Sequence, residues 1–175
     1  MPLISSSIGT EDSVSHTWSI AVPSDRVWWA LTDSVALPQW LGKLAAGRFI
    51  AECVVRIQQA EDYFCTSRIT ECEPEHRLRM TWEFPDEPLS TVLITLAPEV
   101  DATRISLTHG GLGEEAHNYL PGWHTHLLYL EALLLGRPRS MIDFWSTYEE
   151  LAKSDTDRRW SQRQCLSKWM NRPFS

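Results

Sequence analysis

The sequence predicts an α+β domain: a curved antiparallel sheet of about six strands wrapped around one long helix, with two short helices closing one end and an extra helical extension at the C-terminus. Three observations carry this expectation. Stretches of period-two alternation recur at spacings of 10–15 residues with short turns between them, the pattern of an antiparallel meander. One long amphipathic segment follows the last of them. The sheet is the only partner large enough to bury that segment's apolar arc.

The elements follow in order. Residues up to Asp12, with Ser5-Ser6-Ser7 and Glu11-Asp12, read as a loose start. Val14, His16, Trp18 and Ile20 then alternate with Ser15, Thr17 and Ser19, which means a half-buried strand with His16 on its apolar face. Pro23-Ser24-Asp25 ends the strand and opens a helix whose stripe is Val27, Trp28, Ala30 and Leu31. A second short helix is expected over Leu37–Leu41, with Pro38 in its first turn. Strand signals follow at Cys53–Ile57, Tyr63–Cys72, Arg77–Phe84, Leu89–Leu96 and Arg104–His109. The turns between them carry Pro, Asp and Glu, as at Glu73-Pro74-Glu75 and Pro98-Glu99-Val100-Asp101. A Gly-rich loop, Gly110-Gly111-Leu112-Gly113, leads into a helix over about Leu120–Leu135, closed by Gly136 and followed by Pro138. At 100° per residue Trp123, Leu127, Leu130 and Leu134 fall within an arc of about 60°. Met141–Leu151 predicts a further amphipathic helix, and 156–170 carries a weak helical pattern.

Composition narrows the functional classes. In 175 residues, 43% are hydrophobic and 22% charged, which excludes a disordered chain. The net charge of −7 argues against nucleic acid or an anionic membrane as the main partner. That charge is uneven: residues 1–152 carry a net −11 and residues 153–175 a net +4. A basic tail on an acidic body can dock on its own domain or on a second copy, or simply form a solvated helix. No apolar run of about 18 residues exists, so no membrane span is expected. Met1–Gly9 lacks a basic start and a long apolar stretch, so no signal peptide is expected. Cys53, Cys65, Cys72 and Cys165 show no CxxC spacing. A cytoplasmic protein with reduced thiols and no cofactor is the expectation.

Several segments together resemble the activator of heat-shock protein 90 ATPase homologues, a family of the START-like (SRPBCC, Bet v-like) superfamily with the helix-grip fold. They are Val22-Pro23 with Val27–Asp33, Gln39–Gly42, Ile69–Pro74 with Arg77-Leu78 and Thr81–Glu83, then Leu107–Leu112 with Gly122–His124 and Leu127–Leu130. Each is weak alone, but they occur in the family's order. The resemblance implies a helix-grip domain over residues 12–137, with 138–175 a helical extension outside it. Leu41 departs from the family, which often has paired aromatics in the second short helix.

The resemblance also implies an interior between sheet and long helix. It brings Trp28, Trp40, Trp82 and Trp123 around that interior, either as a filled core or as the walls of an apolar site. His109 would face it from a strand, satisfied within the protein or else bonding a ligand or acting as a base; His16 shares this reading more weakly. With Leu127, these residues form the expected ligand-binding set, together with His124, which shares a helical stripe with Glu131. His124 and His126 stand 200° apart on a helix, so they do not make a metal pair. The Gly-rich loop lacks the Gly-Lys-Ser/Thr ending of a phosphate loop, and no nucleophile elbow is present. The expected partner is a small apolar molecule such as a lipid or polyketide, held without covalent chemistry. Two alternatives stand beside it: a cyclase- or hydratase-like enzyme using the same space, and a chaperone-type interaction module. A homodimer through the extension is a further expectation.

Overall fold

The computed structural model describes residues 3–9 and 12–158. The weak helical pattern over 156–170 falls mostly outside them, and so does Cys165. Among the described residues eight strands form one antiparallel sheet: β1 (Leu3–Ile8), β2 (Val14–Ile20), β3 (Lys43–Ala46), β4 (Val54–Ala60), β5 (Tyr63–Glu73), β6 (Arg77–Trp82), β7 (Ser90–Glu99) and β8 (Ala102–Gly110). Their order across the sheet is β1-β2-β8-β7-β6-β5-β4-β3.

Two of these strands, β1 and β3, exceed the six expected, and they are the two edges. The loose start therefore corrects to a strand: β1 runs along β2, pairing Ser6 with His16 and Ile8 with Val14. Neither edge carries an apolar alternation. Ser5, Ser6 and Ser7 are all exposed, and in β3 only Leu44 is partly covered. Backbone pairing with the neighbouring strand holds both in place.

The inner strands keep strict alternation. Along β2, Val14, His16, Trp18 and Ile20 are buried, and along β8 so are Thr103, Ile105, Leu107 and His109. The 11-residue β5 serves two neighbours, pairing over Tyr63–Arg68 with β4 and over Ile69–Glu73 with β6. Its register shifts between Ile69 and Glu71 at a bulge, and bulges bend a strand. Asp62, Glu75 and Asp101 adopt positive φ in the hairpin turns, which explains why acidic residues punctuate the sequence there. Gly47 has φ +88°, and a Cβ on it would lie 2.0 Å from the Val54 carbonyl oxygen, so the β3–β4 connection closes only around glycine.

Helix α1 (Ser24–Thr32) is followed by a short 3₁₀ helix, Leu37–Gln39, which is the second short helix expected over Leu37–Leu41, two residues shorter. Three-residue 3₁₀ turns are common connectors, and here one suffices to bury Leu37 and Trp40. The long helix α2 spans Ala116–Leu134, starting four residues before the expected Leu120. Pro121 lies inside it, just past the first turn, where its missing N–H forfeits one backbone bond. At the other end Gly136 (φ +74°) closes a Schellman motif: Arg137 N–H reaches the Ala132 carbonyl at 2.8 Å and Gly136 N–H the Leu133 carbonyl at 3.0 Å.

The predicted arc of α2, Trp123, Leu127, Leu130 and Leu134, is buried. So are Gly122, Thr125 and Tyr129 on other sides of the helix. The last helix of the described residues, α3 (Phe144–Arg158), explains the second face. Phe144 packs on His126 and Tyr129, with ring centroids 4.6 and 5.4 Å apart, and the Tyr148 hydroxyl reaches the Asn118 carbonyl. Helix α2 is thus covered on both sides, by sheet and by α3, and buries residues on most of its circumference. Among the described residues no helix is long and apolar enough to cross a membrane.

Candidate functional site

The interior between sheet and α2 divides into two neighbourhoods. The first lies over β6, β7 and β8. Trp82, Trp123, Tyr119 and His109 pack there with ring centroids 4.6–6.0 Å apart. Trp40 joins through His126, whose ring centroid lies 5.7 Å from Trp123 and 6.4 Å from Trp40. The structure therefore brings together Trp40, Trp82, Trp123 and His109 of the expected set. Trp28, on α1, is only half-buried at the margin of this core.

Hydrogen bonds fix the state of His109. The Ser90 hydroxyl donates to the Trp82 carbonyl at 3.0 Å, which uses its one proton. The 2.7 Å contact between Ser90 Oγ and His109 Nε2 therefore has the imidazole N–H as donor. On the other side Trp123 Nε1 donates to His109 Nδ1 at 3.0 Å. Both nitrogens are engaged and the ring is neutral. Burial lowers its pKa to about 3. His126 is held similarly. Its Nδ1 lies 2.6 Å from the Trp40 carbonyl, and burial lowers its pKa to about 4 despite that bond. The Trp82 indole donates to the Tyr119 hydroxyl, which in turn donates to Glu87 from the β6–β7 loop. Burial and the Glu87 charge raise the Tyr119 pKa. This half of the interior is a closed, internally satisfied polar network within an aromatic core.

The second neighbourhood, over β2, differs. His16 is 1% exposed, and among the described residues neither ring nitrogen has a hydrogen-bond partner. Burial, then the nearby His124, lower its pKa to about 4; the Leu120 carbonyl offsets this partly without hydrogen-bonding geometry to either nitrogen. A buried polar group left unpaired costs about 1–3 kcal/mol. His124 faces His16 from α2 at 6.2 Å between ring centroids and meets Trp18 edge-on at 5.5 Å. The Trp18 indole donates to Glu131 at 3.2 Å, and partial burial raises the pKa of that carboxyl. Leu127 is buried one turn beyond His124. His16, His124 and Leu127 thus mark a patch under α2 with Glu131, the stripe partner of His124, at its polar edge, and with Trp18 as a member the sequence reading did not single out.

Other features offer less. An open groove of about 420 Å³ lies between the start of α1 and the β7–β8 turn, lined by Val22, Ser24, Pro98 and Thr103. Among the described residues no cluster of three or more His, Cys, Asp or Glu could hold a metal ion. Cys53, Cys65 and Cys72 are free thiols, and burial pushes Cys65 up to about 12. Around the Gly-rich loop, Leu112, Ala116 and Tyr119 are buried while Gly111, Glu114 and His117 are exposed, so no large apolar patch is presented there.

The model of the family described as activator of Hsp90 ATPase homolog 1-like protein matches residues 21–134. Among solved structures, CalU16 from Micromonospora echinospora is 24% identical, with a TM-score of 0.68 over 81% of this chain and 84% of that one. DynU16, from the dynemicin biosynthetic locus, is 29% identical with a TM-score of 0.65, over 73% of this chain and 49% of that one. An Aha1 dimer from Colwellia psychrerythraea is 16% identical, with a TM-score of 0.60 over 70% of this chain and 95% of that one. No curated protein matches the sequence.

Proposed function

We propose, from the premise that this chain belongs to the activator of Hsp90 ATPase homolog 1-like family, that it binds a small apolar or amphipathic molecule between the sheet and α2. The observation that carries this reading is His16, a buried imidazole with two nitrogens unmet among the described residues, on the inner face of β2. Proteins tolerate such a group mainly where a ligand or water completes it. His16 and His124 supply polar contacts in this reading, Leu127 and Trp18 supply apolar surface, and Trp40, Trp82, Trp123 and His109 form the rigid wall behind them. Affinity comes from apolar burial, at about 25 cal/mol per Å² before the costs of association. One similar protein, DynU16, comes from the dynemicin biosynthetic locus, a setting that supports a small organic ligand for this chain.

The enzymatic alternative is less well supported. His16, His109 and His126 are held neutral far below pH 7, and a general acid–base works best near the operating pH. The chaperone-type alternative lacks the exposed apolar patch it needs near the Gly-rich loop. Residues 12–137 are taken as the binding unit. Residues 138–175 are taken as an extension that mediates a homodimer; chromatography of the chain with and without 140–175 should show a dimer only in the longer form.

The test of binding is titration with lipids, polyketides and flavonoids, followed by tryptophan fluorescence. A saturable 1:1 response that Leu127→Trp abolishes is expected. No saturable response to any compound overturns the reading.

A further inference from the structure

The geometry around His16 points to the class of ligand. We propose that the molecule held under α2 is a neutral aromatic bearing a hydroxyl, a phenol or an aryl alcohol, and that carboxylates are rejected. This rests on the binding reading above and deepens it.

A neutral imidazole offers one N–H donor and one bare nitrogen acceptor. Both are unmet in His16, and they diverge, so one ligand group meets one nitrogen and a second group or a water meets the other. A hydroxyl suits either side, since it donates to the bare nitrogen or accepts from the N–H. A carboxylate only accepts, and it brings a charge into a buried layer. The one ionisable group acting on His16 among the described residues is His124, and beyond Trp18 lies the Glu131 carboxyl, an acid and not a cation. No lysine or arginine among those acting on His16 would pair with a buried anion, and an unpaired buried charge is strongly disfavoured. Trp18 and His124, whose rings pack edge-on against each other at 5.5 Å, place aromatic edges beside His16 and favour an aromatic body for the ligand.

The test uses three probes of one shape, 1-naphthol, 1-methoxynaphthalene and 1-naphthoate, titrated calorimetrically at pH 7 into the full chain and into His16→Leu. In the parent protein, 1-naphthol should bind about tenfold more tightly than either analogue, the gain of roughly one hydrogen bond. That preference should vanish in His16→Leu and persist in His16→Gln, which keeps a donor and an acceptor. Naphthol binding equally well to parent and His16→Leu, or naphthoate binding best, overturns the hydroxyl assignment and leaves the binding reading standing. Failure of all three probes to bind the parent protein overturns the hydroxylated-aromatic assignment; the binding reading falls with it only if lipids, polyketides and flavonoids also give no saturable response.

Discussion

Replacing His16 by leucine should make the unliganded protein more stable, the reverse of the usual result for a core substitution. His16 is 1% exposed and its two ring nitrogens have no partners among the described residues, so folding strips them of water and returns nothing. Leaving such a group unpaired costs about 1–3 kcal/mol. Leucine of similar volume removes that cost, and imperfect shape gives back roughly 1 kcal/mol. The net expectation is a gain of up to about 2 kcal/mol. For a chain of this size each kcal/mol moves Tm by about 2–4 °C, so Tm should rise by up to about 8 °C. Urea unfolding at pH 7, with the slope unchanged, reads the same quantity as a higher midpoint. A loss of 1 kcal/mol or more in His16→Leu would mean that the imidazole is satisfied in the native protein, and the reasoning about the site would fail with it.

Acid should destabilise the fold steeply. Unfolded histidines bind a proton near 6.5, while burial keeps His16 and His126 neutral to about 4 and His109 to about 3. Between those values the unfolded chain holds more protons, so stability is fully present above pH 6.5 and is lost as pH falls through the window. From pH 7 to 5.5 the three together remove about 4 kcal/mol, to order of magnitude. Urea midpoints that stay flat over that range would refute the neutral-histidine assignment, and His16→Leu should reduce the loss by about a third. Ser90→Ala strips the bonds to His109 Nε2 and to the Trp82 carbonyl at once, and should cost about 2–4 kcal/mol. A change within 0.5 kcal/mol, the range of an ordinary surface substitution, would show that the Ser90–His109–Trp123 chain is not built as described.

Much of the fold was legible because its inner elements repeat their chemistry. The alternation of β2 and β8 marked each buried face, and the arc from Trp123 to Leu134 marked the side of α2 turned to the sheet. The edges were illegible for a physical reason. Ser5–Ser7 and Lys43–Ala46 gain their place from backbone bonds, which leave no trace in side-chain periodicity. Pro121 hid the first turn of α2, and with it the i, i+4 relation of Tyr119 to Trp123 that would have drawn Tyr119 into the aromatic group. His16 and His109 were readable as buried histidines on strands. What separated them was not. His109 is satisfied by Ser90, distant in sequence and at the first position of β7, and by a tryptophan on a helix; His16 meets no such partner. That difference lies in the tertiary arrangement alone.

The most direct measurement is an NMR titration of the full chain with 1-naphthol, observing the imidazole nitrogens of His16, the Trp18 indole and the Leu127 methyls. Binding under α2 predicts that these signals shift together and saturate at one equivalent, with the His16 nitrogens moving most. Shifts confined to Val22 and Thr103 in the open groove, with His16 silent, would contradict it.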